Sequence, residues 1–208
     1  MKAKTRTVKI FGNKIKTTLK QYLKNGLLWG DLLLNKFKYT DKEIDELVKS
    51  IVVLVDTREK ENQHILDYFD KKGIKYKKRA LEYADYSFMI PKNEALNIPR
   101  DLYFDKECVV ERKGSLEELS TNLTKERDRL EKEFSLAPKT KVLLIENGSY
   151  GDVINGNYNS QYNKKSYWAS LHSFHFKYNL PIMFMPDNKY SGVFIRGYFT
   201  YYLKDYLR

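Results

Sequence analysis

Only one cysteine, Cys108, occurs in the 208-residue chain. That excludes an intramolecular disulfide and a Cys-rich zinc centre, and suits a reducing compartment; a buried thiol is the expectation for it. His64, His172 and His175 share no metal-ligand spacing and read as packing or surface residues. No apolar run reaches the length of a membrane helix, so no membrane partner is expected. The basic opening, MKAKTRTVKIFGNK, lacks the apolar core of a signal peptide behind it, and the expected location is intracellular. Acidic residues are missing altogether before Asp31, and there is no internal repeat.

What is present is a charged, core-forming chain, 42% hydrophobic and 31% charged, with a formal net charge of +11. Such a composition describes a folded protein of one ordinary domain with a small appendage. The charge is uneven: residues 1–50 hold 12 Lys/Arg against 5 Asp/Glu, a net +7 of the total +11. This suggests a basic docking arm for a polyanion, or simply a solvated basic helix. The expected division is a basic, mostly helical segment over 1–50 and a second domain over 51–208.

Residues 6–14 read as a short strand or arm, and 16–34 as a helix with Leu19, Leu23, Leu27, Leu28 and Leu32 near a 3.6-residue period. Thr40 with Glu43 forms a capping-box pattern for DKEIDELVKS. IVVLVD is then an apolar run closed by a carboxylate, as a buried strand presenting chemistry at its end would be. NQHILDYFDKKG reads as a helix ending at Gly73, and YKKRAL, YSFMI and ECVVERK as short strands. The spacing predicts one long helix over 115–134, a strand at KVLLIE, a long mobile loop over GSYGDVINGNYNSQYNKK, and a final helix–strand–helix. The layout is α/β, a mixed sheet covered by helices.

Charged residues cluster at the ends of the segments that want burial. Asp56, Arg58 and Glu59 close the first strand, and Asp85 opens YSFMI. Glu111 and Lys113 are two apart and point one way, while Arg112 points the other. Carboxylates converging at one sheet edge repel unless a cation joins them, and hard oxygen donors favour Mg²⁺ or Mn²⁺. A lysine among them can orient water or neutralise charge on a phosphate. The plainer alternative is a set of strand-terminating charges, with Asp56 capping a turn.

VDTRE at 55–59, YADY at 83–86 and VERKGSLEEL at 110–119, in this order and layout, resemble the XPF-type structure-specific nuclease domain family over residues 51–206. The resemblance implies a restriction-endonuclease-like mixed sheet flanked by helices. It implies Asp56, Asp85 and Glu111 as metal ligands, with Glu59 assisting or binding metal through water. Lys113 would be the catalytic lysine, Arg58 a phosphate contact or brace, and Arg112 a brace or backbone contact. The family's last acidic position falls at Glu117 or Glu118, displaced by the extra Gly114. The family's G-D-Y glycine is Ala84 here, and because alanine resists positive φ the turn before Asp85 is expected to differ. Many members continue into a tandem helix-hairpin-helix module; this chain stops at Arg208, so the basic segment 2–24 is expected to supply grip.

The activity so implied is Mg²⁺-dependent hydrolysis of DNA near branches, forks or flaps, with Mn²⁺ as a substitute, leaving a 5′-phosphate and a 3′-hydroxyl. A homodimer is implied too, with Val193, Phe194, Tyr198, Phe199, Tyr201, Tyr202 and Tyr206 of the last helix as a dimer surface or as core. The setting that fits is a compact viral or mobile-element nuclease of DNA repair or recombination. Rival readings are a four-way-junction resolvase and a non-catalytic DNA-binding subunit that needs a partner, the latter disfavoured by the complete acidic set. Lys125, Arg127, Arg129 and Lys132 read mainly as a solvated helix face, with Arg127 and Arg129 as minor site candidates. Tyr150, Tyr158, Tyr162 and Tyr167 are candidates for stacking on bases, and Trp168 for anchoring a helix to the sheet.

Overall fold

A computed structural model of the chain describes residues 39–208. The arm expected over 6–14 and the helix expected over 16–34 lie outside the described residues. Helix α1 (Asp41–Ser50) starts as its sequence dictates. Thr40 Oγ1 accepts from the Glu43 N–H, and Glu43 Oε2 accepts from the Thr40 N–H at 2.7 Å. Ile44, Leu47 and Val48 turn inward. Lys204 of the last helix bonds Asp45 at 2.9 Å, and Arg196 donates to the Val48 carbonyl at 2.6 Å, tying the two helices together.

The strands are β1 (Val52–Val55), β2 (Tyr76–Lys78), β3 (Tyr86–Ile90), β4 (Leu102–Tyr103), β5 (Cys108–Lys113), β6 (Thr140–Glu146) and β7 (Ile182–Met185). They form one mixed sheet in the order β2-β1-β3-β5-β6-β7, with β4 paired to β3. β1, β3 and β5 run antiparallel to their neighbours in that trio, whereas β5, β6 and β7 are parallel. Helix α2 (Gln63–Lys72) ends on Gly73 at φ 63°, a left-handed cap that glycine adopts freely.

Strand alternation divides the interior into two cores. Val53, Val55, Tyr86, Phe88, Val110, Val142 and Leu144 face α1, α2 and α7 (Ser191–Leu207). Leu143 and Ile145 face α3 (Leu116–Thr124), α4 (Arg127–Leu136), α5 (Tyr150–Asn155) and α6 (Lys164–Tyr178). Period two then assigns the charged strand ends. Arg112 and Glu146 fall on the α2/α7 face, and Asp56, Asp85, Glu111 and Lys113 on the other.

The single helix expected over 115–134 is two. The chain bends at Glu126 (φ −122°, ψ 22°), whose carboxylate takes bonds from Asn122 and Arg129 instead of leaving the helix to run on. The mobile loop expected after β6 begins with α5, closed at its start by a Ser149–Asp152 capping box and at its end by Gly156 at φ 79°. Tyr158 and Tyr162 pack on Tyr167, which is buried and donates to the Leu116 carbonyl at 2.8 Å. Three of the four candidate stacking tyrosines are therefore packing residues, and Tyr150 alone is exposed. Trp168 is exposed as well and stacks edgewise on His172 rather than anchoring α6 to the sheet. In α7, Phe199 is core, and Phe194, Tyr198, Tyr202 and Tyr206 pack against it, which leaves Val193 and Tyr201 outward. Cys108 is buried, as expected.

Candidate active site

Three carboxylates are placed by strand register alone. Val55 pairs with Tyr86, and Tyr86 with Val110, so Asp56, Asp85 and Glu111 fall in a row across β1, β3 and β5. The row is sewn by the backbone: the Asp56 N–H donates to the Asp85 carbonyl at 2.8 Å, and the Asp85 N–H to Val110 at 3.2 Å. The Arg112 N–H then donates to Asp85 Oδ2 at 2.7 Å. Ala84, just before Asp85, takes φ 57°. The turn is thus left-handed despite the alanine, a conformation that alanine resists. Holding a non-glycine there costs roughly 1–2 kcal/mol, which the flanking ladder bonds have to offset.

Asp56 is 1% exposed and fully engaged. Its Oδ1 accepts from the Arg58 backbone at 2.7 Å and from Nε at 3.0 Å; its Oδ2 accepts from Arg58 Nη2 at 2.7 Å and from the Leu81 N–H at 3.0 Å. β1 stops at Val55, and the turn through Thr57 folds Arg58 back onto Asp56, so an extended-strand relation between the two does not arise. Burial pushes the Asp56 carboxyl up, but the Arg58 and Leu81 bonds outweigh it and hold the carboxyl below its ordinary value.

Lys113 Nζ bonds Glu111 Oε1 at 2.8 Å and stands 3.6 Å from Glu118 Oε1. Glu118 Oε2 also accepts from the Gly114 N–H at 2.8 Å, while Glu117 is turned to the Asn159 N–H. Of the two glutamates, Glu118 is the one beside the site. Burial works to lower the Lys113 pKa, yet the Glu111 and Asp85 charges hold it above the usual lysine value, so the side chain is an ammonium. Burial, and then the Glu111 charge, push Asp85 well up and raise Glu133 of α4 too. Glu133 is a neighbour that sequence reasoning missed, because the bend at Glu126 sets where α4 runs.

A second charged group centres on Arg112; burial pushes the Glu59 carboxyl within it up, and Glu59 also feels Glu118, Glu111 and Lys113. Arg112, its side chain 6% exposed, donates through Nη1 to Glu59 at 3.0 Å and through Nη2 to Glu146 at 2.7 Å. Glu146, fully buried, also meets His64 Nε2 at 2.9 Å. Burial raises the Glu146 carboxyl, but Arg112, Ser191 and His64 together bring it below its ordinary value. His64, expected to be a mere packing or surface residue, is bonded to a buried carboxylate. Glu146 had a signal in the sequence: KVLLIE is an apolar run closed by a carboxylate, as IVVLVD is.

Among the described residues, no three Asp, Glu, His or Cys side chains stand close enough to hold a metal ion as they are now arranged. The donor chemistry nevertheless fits a hard divalent cation. Asp85, Glu111 and Glu133 are all-oxygen donors, and the charge of Glu111 raises the other two. Lys113 is the ammonium bonded within this group. Asp56 would join such a set only by exchanging bonds with Arg58. Arg127 and Arg129 are paired to Glu131 and Glu126.

A profile of the ERCC4 domain family matches residues 55–197. Among solved structures, XPF from Aeropyrum pernix is similar with a TM-score of 0.53 at 19% identity, over 74% of this chain and 67% of that one. XPF from the same organism in complex with DNA is similar with a TM-score of 0.53 at 19% identity, over 74% of this chain and 66% of that one. The chain therefore spans about two thirds of each, and at this identity the likeness concerns the fold, the restriction-endonuclease-like sheet expected from the sequence. A search of curated proteins gives no match.

Proposed function

This chain belongs to the ERCC4 domain family, a family of nuclease domains, and we propose that it is a Mg²⁺-dependent DNA endonuclease acting near branches, forks or flaps. The observation that carries the reading is the meeting of Asp85, Glu111 and the Lys113 ammonium on one face at the end of β5. Asp85, Glu111 and Glu133 would hold the ion, for which Mn²⁺ could substitute. When bound it supplies Lewis-acid charge and an acidified water at neutral pH.

The chain's own residues do the rest. Lys113, bonded to Glu111, neutralises charge on the non-bridging phosphate oxygens. Arg58, exposed beside Asp56, braces that carboxylate and offers its outer edge to a backbone phosphate. Water attacks phosphorus in line; the new P–O bond forms as the P–O3′ bond breaks, and a proton passes to O3′. The products are a 5′-phosphate and a 3′-hydroxyl.

DNA as substrate is supported by the related structure that holds DNA. It is supported also by the stretch 153–186, which has no Asp or Glu and carries Lys164, Lys165 and Lys177. A homodimer is part of the proposal. Its best physical support is the edge strand β7 with exposed Met183, together with Phe176 of α6, 80% exposed. Light scattering tests it, and a monomer at all concentrations would remove it.

Labelled duplex, splayed-fork, 3′-flap and four-way-junction DNA, each with Mg²⁺ or EDTA, test the activity, with Glu111→Gln alongside. Metal-dependent cutting that Glu111→Gln abolishes is the expected result, and the preferred substrate separates a flap or fork enzyme from a junction resolvase. Binding without cutting of any substrate would leave a DNA-binding subunit.

A further inference from the structure

We propose that Glu146, backed by His64, is a positioning residue that acts through Arg112 to set both Asp85 and Glu59. The inference rests on the endonuclease reading above for its activity arm. Its basis is the division of the sheet: the reactive row lies on one face, and the Arg112–Glu146–His64 chain on the other. Arg112 reaches both. Its backbone N–H holds Asp85 at 2.7 Å, while its guanidinium holds Glu59 at 3.0 Å.

The guanidinium is itself secured mainly by Glu146. Its Nη2–Oε2 bond is 2.7 Å, and its Nε is buried with no hydrogen-bond partner among the described residues. Without Glu146, Glu59 is the remaining carboxylate bonded to the side chain, and the two are free to rotate together. Glu146 cannot drift in turn, because it is fully buried and its other oxygen is taken by His64 at 2.9 Å. His64 belongs to the first turn of α2, so the brace joins α2, β5 and β6. Outer-shell groups of this kind orient the residues that meet an ion or substrate, and their loss costs roughly 10–100-fold in metal affinity or activity.

The test compares wild type, Glu146→Gln, His64→Ala and His64→Gln. Mn²⁺ binding is followed by electron paramagnetic resonance without DNA, DNA affinity is measured in EDTA, and kcat and KM are measured in Mg²⁺. Glu146→Gln should weaken Mn²⁺ binding and lower kcat by roughly 10–100-fold, with DNA affinity within about twofold of wild type. His64→Ala, at a part-exposed site, should show the same pattern more weakly, and His64→Gln, which keeps a donor, should recover most of it. A lower melting temperature in both Glu146→Gln and His64→Ala, with Mn²⁺ affinity and kcat unchanged, would overturn the proposal. So would DNA affinity falling as far as kcat. If the wild type cuts no DNA, the endonuclease reading fails by itself, and the Mn²⁺ titration still decides this inference. No Mn²⁺ binding by wild type would end both.

Discussion

Replacing Arg112 by methionine isolates the charge that holds the back of the sheet together. The guanidinium is 6% exposed and bonds one carboxylate at 3.0 Å and another at 2.7 Å, the second of them fully buried. Methionine fills much of the volume but leaves both Glu59 and the fully buried Glu146 without their cation, Glu146 keeping only its bond to His64. Removing one partner of a buried pair costs about 3–5 kcal/mol, because the other is left uncompensated. Against a total folding free energy on the order of 5–15 kcal/mol, that is a third or more in most of the range. At roughly 2–4 °C per kcal/mol for a chain of this size, the melting temperature should fall by about 6–20 °C. Urea unfolding followed by circular dichroism should show a lower midpoint with an unchanged slope. The double variant Arg112→Met/Glu146→Leu removes the fully buried one of the two orphaned charges and leaves Glu59 unpaired, so it should recover part of the loss and not all of it. A cost below about 1 kcal/mol for Arg112→Met, or a double variant as unstable as the sum of its parts, would refute the reasoning.

Two further outcomes follow from the same geometry. Asp85 is held well above the usual carboxylate range by burial and by Glu111, so the stability it contributes is present at acidic pH and lost as pH rises through its raised folded value. Without metal, Asp85→Asn, which still accepts the Arg112 N–H, should therefore melt higher than wild type at alkaline pH. The gap should close in acid, and calorimetry showing a pH-independent gap would contradict this. A Cβ on Gly148 would lie 2.7 Å from Leu116 Cγ and 2.9 Å from its Cδ1, at the buried start of α3. Gly148→Ala should thus cost about 1–3 kcal/mol by overpacking, read as a lower melting temperature, and a neutral effect would show that Leu116 can move aside.

The residues that line the row were legible because the same feature that makes the fold marks the chemistry. An apolar run of period two has to end, and IVVLVD and ECVVERK end in charge. The parity of Glu111, Arg112 and Lys113 in β5 assigns two of them to one face and one to the other, and the structure keeps that division. Thr40 with Glu43 and the helix stop at Gly73 are equally local, and both occur. What sequence reasoning missed depends on where distant elements meet. Glu133 reaches the site because the chain bends at Glu126, and neither glycine nor proline announces that bend. His64 meets Glu146 across 82 residues of chain, a pairing that no spacing encodes. Tyr158 and Tyr162 resemble loop aromatics in sequence but find the Tyr167 ring. The left-handed turn at Ala84 went unforeseen because local preference was overridden by pairing on both flanks.

The two faces of the sheet also differ in how well their charge is balanced, and this bears on the order of events in the proposed reaction. On the back, the single Arg112 guanidinium is shared by two carboxylates, Glu59 and Glu146, with His64 bonded to the second. On the front, the Arg58–Asp56 pair is self-contained. That leaves Asp85, Glu111, Glu118 and Glu133 around the Lys113 ammonium, with Glu59 close enough to feel Glu118, Glu111 and Lys113, and burial, then the Glu111 charge, raises Asp85 and Glu133. A phosphodiester brings a further negative charge to the same place and would be repelled by it. On this reading, productive approach of the scissile phosphate requires a cation to arrive first or with the DNA. Binding measured in EDTA would then report surfaces away from Glu111, such as the acid-free stretch around Lys164 and Lys165. In the proposed reaction, the negative charge of the front face would favour a cation there, and the Arg112 brace would keep those carboxylates in register until it arrives.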